Sequence, residues 1–464
     1  MASSESKTPG DYPRLFPNPD QTIVGIGEAL RDGKTTCLEI LEGCLAQVDE
    51  WEPKVHAWVV LDRGRAIEQA RRLDGQLKYG NDRGPLHGIP IGIKDIIDVA
   101  GLPTACGSKR WAEAVADRDA EVVANLRDAG AVIMGKTVTT PYAWIDPPIT
   151  RNPWNLERTP GGSSSGSAAA VACGMCFAAI GTQTGGSITR PASFCGVAGM
   201  KPTRFIAAGT MLGSKPFARS LDHVGPIARS VVDLRFMLGE MIKRPKETKM
   251  RLGTDPPLAT APRLGRLRGF FDRRAEPIVK MAFDEALGTL ASQGAEVIEL
   301  DDPVDFEQIL NDHRRVMAAE AAGVHSNSLD EFPDDYPPRI RELILEGRSL
   351  TAVEYLQAKD RMGSVRKSIF AAPACEKLDA FITPATVTKA TDPSTTGDPA
   401  FNSPWSYSGL PTVSFPTGIS PDRLPVAVQL VGYPLKDAEL LRIAKWCEQA
   451  IRNSRLWKAT TNGR

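Results

Sequence analysis

The chain is 464 residues long. A single core usually stops growing at about 250 to 300 residues, so either two domains or one large α/β domain is allowed. Its 56 basic residues balance 56 acidic ones and no block of like charge stands out, which excludes a nucleic-acid or anionic-lipid footprint and points to a small-molecule partner, with no nucleic acid and no membrane.

The first stretch, MASSESKTPGDYPRLFPNPD, is polar and proline-containing and lacks the apolar centre of a secretory signal, so a cytoplasmic location is expected. Residues 21–77 are helical in pattern. In ALRDGKTTCLEILEGCLAQVDE, Thr36 precedes an apolar stripe through Leu38, Ile40, Leu41 and Leu45 with a period near 3.6, and residues 1–78 read as a helical preface. GPLHGIPIGIKDIIDVAGLP then places β-branched residues between Gly and Pro, as short buried strands and turns do. DAEVVANLRDAGAVIMGKT reads as helix followed by strand. Residues 168–181, rich in Ala and Gly, fall short of the about 20 residues that span a bilayer and read as a buried helix. ETKMRLGTDPPLATAPR reads as a surface loop. RLGRLRGFF, a helix over 276–293 and AEVIELDDP restore a strand, helix, strand alternation. Residues 306–372 carry helical patterning and many charges, as a cap over a pocket would. DAFITPA, LPTVSFPTG and PVAVQLVGYP read as strands, and DAELLRIAKWCEQAI as a closing helix. There is no internal repeat.

Chemistry concentrates in TPGGSSSGSAAAVACGMCFAAIGTQTGGSITRP, where two Gly/Ser clusters flank a small apolar run. A flexible linker is one reading of GGSSSGS, but this cluster leads straight into sequence that is stable only when buried. A phosphate loop requires GxxxxGK[ST], which is absent. Residues 162–166 match G-x-S-x-G with Ser164 at its centre. That elbow needs a preceding strand, which NPWNLERTP is not, and a late triad histidine, whereas the last histidine is His325. His56, His87, His223 and His313 have no metal-ligand spacing, so no metal is expected. The CxxC of Cys173 and Cys176 has no second pair and reads, like most of the eight cysteines, as reduced core filler. A serine can also be activated by a lysine. The lysine most embedded in apolar sequence is Lys94 of IPIGIKDII, whose alternative is a snorkelling side chain or an ion-pair partner of Asp95.

GIPIGIKD with Lys94, NPWN, TPGGSSSGSAAAVA with Ser163, GTQTGGSITRPASFCGVAGMKPT with Ser187, SLDHVGP and GLPTVSFPTG together resemble the amidase signature family of serine hydrolases, over nearly the whole chain. The resemblance implies a Ser, cis-Ser, Lys triad in which Ser187 is the nucleophile, Ser163 follows a cis peptide bond and relays the proton, and Lys94 is the base. For that role Lys94 must be neutral, its pKa falling well below about 10.4 through burial, which the apolar flank supplies. Thr184, Gly185, Gly186 and Ser187 are then the oxyanion hole, their backbone N–H groups turned toward one oxygen. The implied fold is α/β: one large domain over residues 1–464, a twisted mixed β-sheet surrounded by α-helices, with 306–372 a variable helical cap. The implied reaction is hydrolysis of a carboxylic amide without metal or cofactor, with carbamate (urethane) or ester cleavage as second choices.

Three positions depart from the family pattern: Gln183 where many members have Asp, Thr189 then Arg190 where Arg usually follows Ile directly, and Pro141 where Glu is frequent. Next to Pro141, Tyr142, Trp144 and Ile145 make an apolar wall for substrate, unless they simply pack under the sheet. Such a wall favours an apolar or aryl amide, or an aryl carbamate, over glutamine. The rival reading within the family is the glutaminase component of a tRNA-dependent amidotransferase, against which Gln183 and the Thr189–Arg190 shift speak. A rival from another class is a catalytically silent scaffold or binding protein. A monomer or homodimer is expected.

Overall fold

The computed structural model describes residues 13, 15, 21–204, 213–242, 258–371 and 377–454. The opening residues 1–12 and residues 247–257 of the expected surface loop lie outside these. Helices α1 (Ile23–Arg31) and α2 (Cys37–Val55) start on Thr22 and Thr36, whose hydroxyls accept from backbone N–H groups, and Glu39 closes a capping box with Thr36. Strand β1 (Trp58–Leu61) follows, then α3 (Arg63–Lys78), β2 (Pro90–Lys94), α4 (Glu121–Asp128) and β3 (Val132–Thr137). The helical preface is therefore broken by a strand. The β-branched run WVVL pairs antiparallel with β3, and that pairing outweighs the helical pattern around it.

Next come α5 (Ser165–Ala172), β4 (Ala178–Gln183), α6 (Thr189–Cys195), β5 (Ala198–Lys201), β6 (His223–Ala228) and α7 (Val231–Met241). The stretch 168–181, read as one buried helix, ends helix α5, turns through residues 173–177 and begins strand β4. The helix stops at Cys173, Gly174 turns the chain at φ 73°, and β4 finds strand partners on both sides. Periodicity cannot separate a short buried strand from a buried helix. The small residues have a packing reason too: a Cβ on Gly166 would collide with the Ala57 carbonyl oxygen and the Val138 N.

The second half contributes β7 (Arg263–Leu267), α8 (Phe270–Arg274), α9 (Pro277–Ser292), β8 (Glu296–Leu300), α10 (Phe306–Glu331), α11 (Pro338–Ser349) and α12 (Ala352–Ile369). It ends with β9 (Ala380–Pro384), α13 (Ser403–Ser408), β10 (Thr412–Ile419), β11 (Pro425–Val431) and α14 (Asp437–Asn453). The strands form one 11-stranded sheet in the order β1-β3-β2-β4-β6-β5-β10-β11-β9-β7-β8. Strands β3, β2 and β4 run parallel, as do β8, β7 and β9, while the remaining pairs are antiparallel. This is the mixed sheet with surrounding helices that the resemblance implies. Helix α6 is buried along its whole length and α5 from Ser165 to Val171, so both Gly/Ser clusters border the core.

Seven cysteines are free and buried, Cys173 and Cys176 among them; Cys375 lies outside the described residues. Among the described residues no helix is long and apolar enough to cross a membrane, and no group of three or more His, Cys, Asp or Glu is placed to hold a metal ion.

Candidate active site

Lys94 ends β2, and Thr182 lies near the end of its parallel neighbour β4. Side chains at the carboxyl ends of adjacent parallel strands converge on the crevice beyond them. The Lys94 Nζ donates to Ser163 Oγ at 2.7 Å and to Thr182 Oγ1 at 2.8 Å, and the lysine is wholly buried. Burial drives its pKa well below that of a free lysine, opposed by the negative charge of Asp222 and by Cys106. Asp95 is not its ion-pair partner. That carboxylate pairs with Lys136 on β3 at 2.8 Å, both side chains being inaccessible to solvent. The structure thus holds two buried lysines side by side, one balanced by a carboxylate and one facing hydroxyls.

The Gly162–Ser163 peptide bond is cis. Arg190, fully buried, donates from Nη2 to the Gly162 carbonyl at 2.8 Å and to Thr396 Oγ1 at 3.2 Å, while Thr140 N donates to the Ser163 carbonyl at 3.2 Å. Ser164, the centre of the G-x-S-x-G match, is inaccessible. Its hydroxyl bonds the Thr182 backbone and its N–H donates to the Ser187 carbonyl at 3.3 Å, tying the two clusters together. No strand leads into it. Ser187 sits in the loop between β4 and α6 and, with Gly185, is only partly buried where its neighbours are fully so.

That loop is pinned from several sides. Gln183 Oε1 accepts from Ile188 N at 2.9 Å, Thr189 N at 3.0 Å and Thr189 Oγ1 at 3.2 Å. Its Nε2 donates to Ser406 Oγ at 3.2 Å, and Ser406 in turn donates to the Gly185 carbonyl at 2.7 Å. The two departures from the family pattern are therefore one local arrangement: Gln183 and Thr189 face each other as neutral partners, and Arg190 is turned to Gly162. Thr184 donates from Oγ1 to Asp222 Oδ1 at 2.6 Å, and its carbonyl accepts from His313 Nε2 of α10 at 2.9 Å. Burial raises Asp222 to about 6, against hydrogen bonds from Thr184 and from the Phe217 and Ala218 N–H groups. Burial lowers His313 to about 4, so near neutrality it is the uncharged Nε2–H tautomer, a carbonyl being able only to accept. A Cβ on Gly186 would lie 2.6 Å from Asn402 Oδ1, so any larger residue there would have to displace the buried Asn402 side chain.

Pro141 opens a tight turn in which Tyr142 and Ala143 take φ of 50° and 62°, a left-handed conformation uncommon outside glycine. Tyr142 donates its hydroxyl to Asp335 and stacks on Tyr336 with ring centres 4.4 Å apart. Trp144 stacks on Phe217 at 5.6 Å and donates from Nε1 to the Arg339 carbonyl at 3.2 Å, while the Ile145 carbonyl accepts from Arg339 at 3.1 Å. All three residues are thus engaged with neighbouring segments, chiefly the helical region that begins with α10. Sequence reasoning missed Thr182, Asp222, His313 and Ser406. Thr182 stands inside the quoted GTQTGGS and Asp222 inside the quoted SLDHVGP, but His313 and Ser406 come from distant segments with no local signal.

A mixed sheet with a buried lysine and serine pair at its parallel carboxyl ends, beside a pinned Gly-rich loop, defines the class. The chain belongs to the amidase family, the amidase signature enzymes, whose family profile matches residues 39–441. A glutamyl-tRNA(Gln) amidotransferase component from Symbiobacterium thermophilum is 34% identical over 469 residues, covering 90% of this chain and 94% of that protein. Among solved structures, an amidase superposes with a TM-score of 0.83 at 31% identity, covering 92% of this chain and 99% of the other. The peptide amidase of Stenotrophomonas maltophilia does so with a TM-score of 0.79 at 27% identity, covering 95% and 99%.

Proposed function

We propose that this chain hydrolyses a carboxylic amide through an acyl-enzyme on Ser187. The observation that carries the reading is the 2.7 Å hydrogen bond between Ser163 and a buried Lys94 whose pKa is driven down by desolvation. A serine hydroxyl is a poor nucleophile until its proton is taken as it attacks. Ser187 Oγ bonds to the carbonyl carbon, its proton passes to Ser163, and the Ser163 proton passes to Lys94. The carbonyl oxygen gains the negative charge and is met by the backbone N–H groups of the 184–187 loop. When the C–N bond breaks, the same relay returns the proton to the departing amine, and water then releases the acid.

The class of amide is a finer matter. The relatives are named as parts of a glutamyl-tRNA(Gln) amidotransferase, which favours glutamine as the amide and an assembly with other chains around glutamyl-tRNA. Gln183 and Thr189 do not weigh against that reading, because they bond to each other, where β4 ends and α6 begins. The aromatic side chains Tyr142 and Trp144 favour instead an apolar or aryl amide, or an aryl carbamate, acted on by the chain alone. Relative kcat/KM for glutamine, an anilide and an aryl carbamate decides between the two, since that ratio measures differential transition-state binding. Glutamine as the best substrate selects the amidotransferase reading. Ser187→Ala is expected to abolish turnover of whichever is best while leaving the thermal midpoint unchanged; undiminished turnover in that variant defeats the proposal.

A further inference from the structure

Three successive carbonyls of the loop before Ser187 are each held by a donor. Thr184 O accepts from His313 Nε2 at 2.9 Å, Gly185 O from Ser406 Oγ at 2.7 Å, and Gly186 O from Arg190 N at 2.9 Å. A peptide unit is planar and trans, so its C=O and the following N–H point in opposite directions. Fixing each of those three carbonyls therefore fixes the direction of the N–H that follows it, of Gly185, Gly186 and Ser187 in turn. Among the described residues none accepts a hydrogen bond from these three N–H groups. Neither glycine has a side chain to hold its own backbone, and free rotation there would let the donors turn away. Two of the holding donors come from outside the loop: His313 from α10, 129 residues away, and Ser406 from α13, 221 residues away.

We infer that His313 and Ser406 are positioning residues that aim the Gly185 and Gly186 N–H groups at the oxyanion, so that the helical region beginning with α10 is part of the catalytic apparatus and not only a cover. The inference rests on the reading of Ser187 as nucleophile. It follows from the carbonyl contacts and not from any contact of His313 or Ser406 with substrate. His313 is buried and its ring carbon Cε1 lies 3.6 Å from where a Gly185 Cβ would be, so its imidazole also packs directly on the loop.

A fluorophosphonate probe separates the positioning role from the identity of the nucleophile. It forms an O–P bond with the nucleophilic serine and expels fluoride, and its phosphoryl oxygen occupies the oxyanion site. Labelling of the full chain is followed by intact mass, alongside kcat, KM and thermal midpoints, for wild type, Ser187→Ala, His313→Leu, His313→Gln and Ser406→Ala. Removing a true oxyanion donor costs about 10² to 10³ in rate, and misaiming one costs less. The leucine variant is expected to label and turn over about 10- to 100-fold more slowly with KM changed little. Glutamine, which can place an N–H near the position of Nε2, is expected to restore most of the rate. If the leucine variant does not fold, Ser406→Ala carries the same expectation at the neighbouring carbonyl. Wild-type labelling rates in folded His313→Leu or Ser406→Ala overturn the inference, as does a glutamine variant no faster than leucine. A wild type that takes no label at Ser187 overturns the nucleophile assignment, and this inference falls with it.

Discussion

Lys94 and Lys136 are both inaccessible to solvent, yet their surroundings give them different partners. Lys136 meets the Asp95 carboxylate at 2.8 Å, together with the Pro103 carbonyl and the Thr104 hydroxyl. Lys94 meets only hydroxyls at hydrogen-bond distance, which cannot balance an ammonium charge, and desolvation then favours the neutral amine. The working form of a base is the unprotonated one, so kcat/KM should rise with pH along a limb centred well below the ordinary lysine value. Asp222 works against this, since its negative charge favours the protonated lysine. Asp222→Asn removes that charge, lowers the Lys94 pKa further and should shift the limb to lower pH, whatever it does to the absolute rate. A pH–rate profile with an unmoved or raised limb would contradict the assignment of Lys94 as the titrating base.

At the level of elements, α5 joins the two halves of the site. Its N-terminal end follows Ser163 and Ser164, and Ser164 reaches both β4 and the Ser187 carbonyl. Close approach of this helix to the backbone before β1 and after β3 is what Gly166 permits, where the Ala57 carbonyl and Val138 N leave no room for a methyl group. Gly166→Ala should therefore destabilise the fold, although alanine is the better helix former, by at least the about 1 to 3 kcal/mol usual for overpacking. Denaturant midpoints compared with those of an exposed glycine in mid-helix, such as Gly363→Ala, check this. Equal midpoints for the two variants would mean that the helix is free to move away from its neighbours.

For the molecule as a whole, the question is whether residues 306–369 behave as a separate body. They connect to the rest through buried and partly buried contacts: Asp335 takes Tyr142 and Ser108, Arg339 holds Trp144 and Ile145, Asp146 accepts from Arg339 N and Ile340 N, and His313 reaches Thr184. The buried ones, His313 to Thr184 and Asp146 to Ile340 N, are costly to open, and the partly buried ones add to them. A single calorimetric endotherm is expected for the full chain. A separate earlier transition, with helical signal lost before the rest melts, would show that the helical region unfolds independently.

Much of the molecule is legible along the chain. Gly/Ser clusters, the embedded Lys94 and the NPWN and GLPTVSFPTG strings are local, and they are enough to identify the family and with it the mixed α/β sheet. Helix starts such as Thr36 with Glu39 and Thr351 with Glu354 are local too, because a capping box closes within four residues. What the chain does not carry locally is partner choice. The strand identity of residues 178–183 depends on β2 and β6 lying on either side, and β1 on the edge that β3 presents. Which buried lysine is left without a carboxylate depends on Asp95 turning toward β3. Thr184 is held by Asp222 and His313, Gly185 by Ser406, and Tyr142 by Asp335, across separations of 38, 129, 221 and 193 residues. Sequence patterns report interactions between neighbours in the chain, whereas the charge of a buried amine and the direction of a peptide N–H are set by whatever the fold brings alongside, and only the tertiary structure decided those.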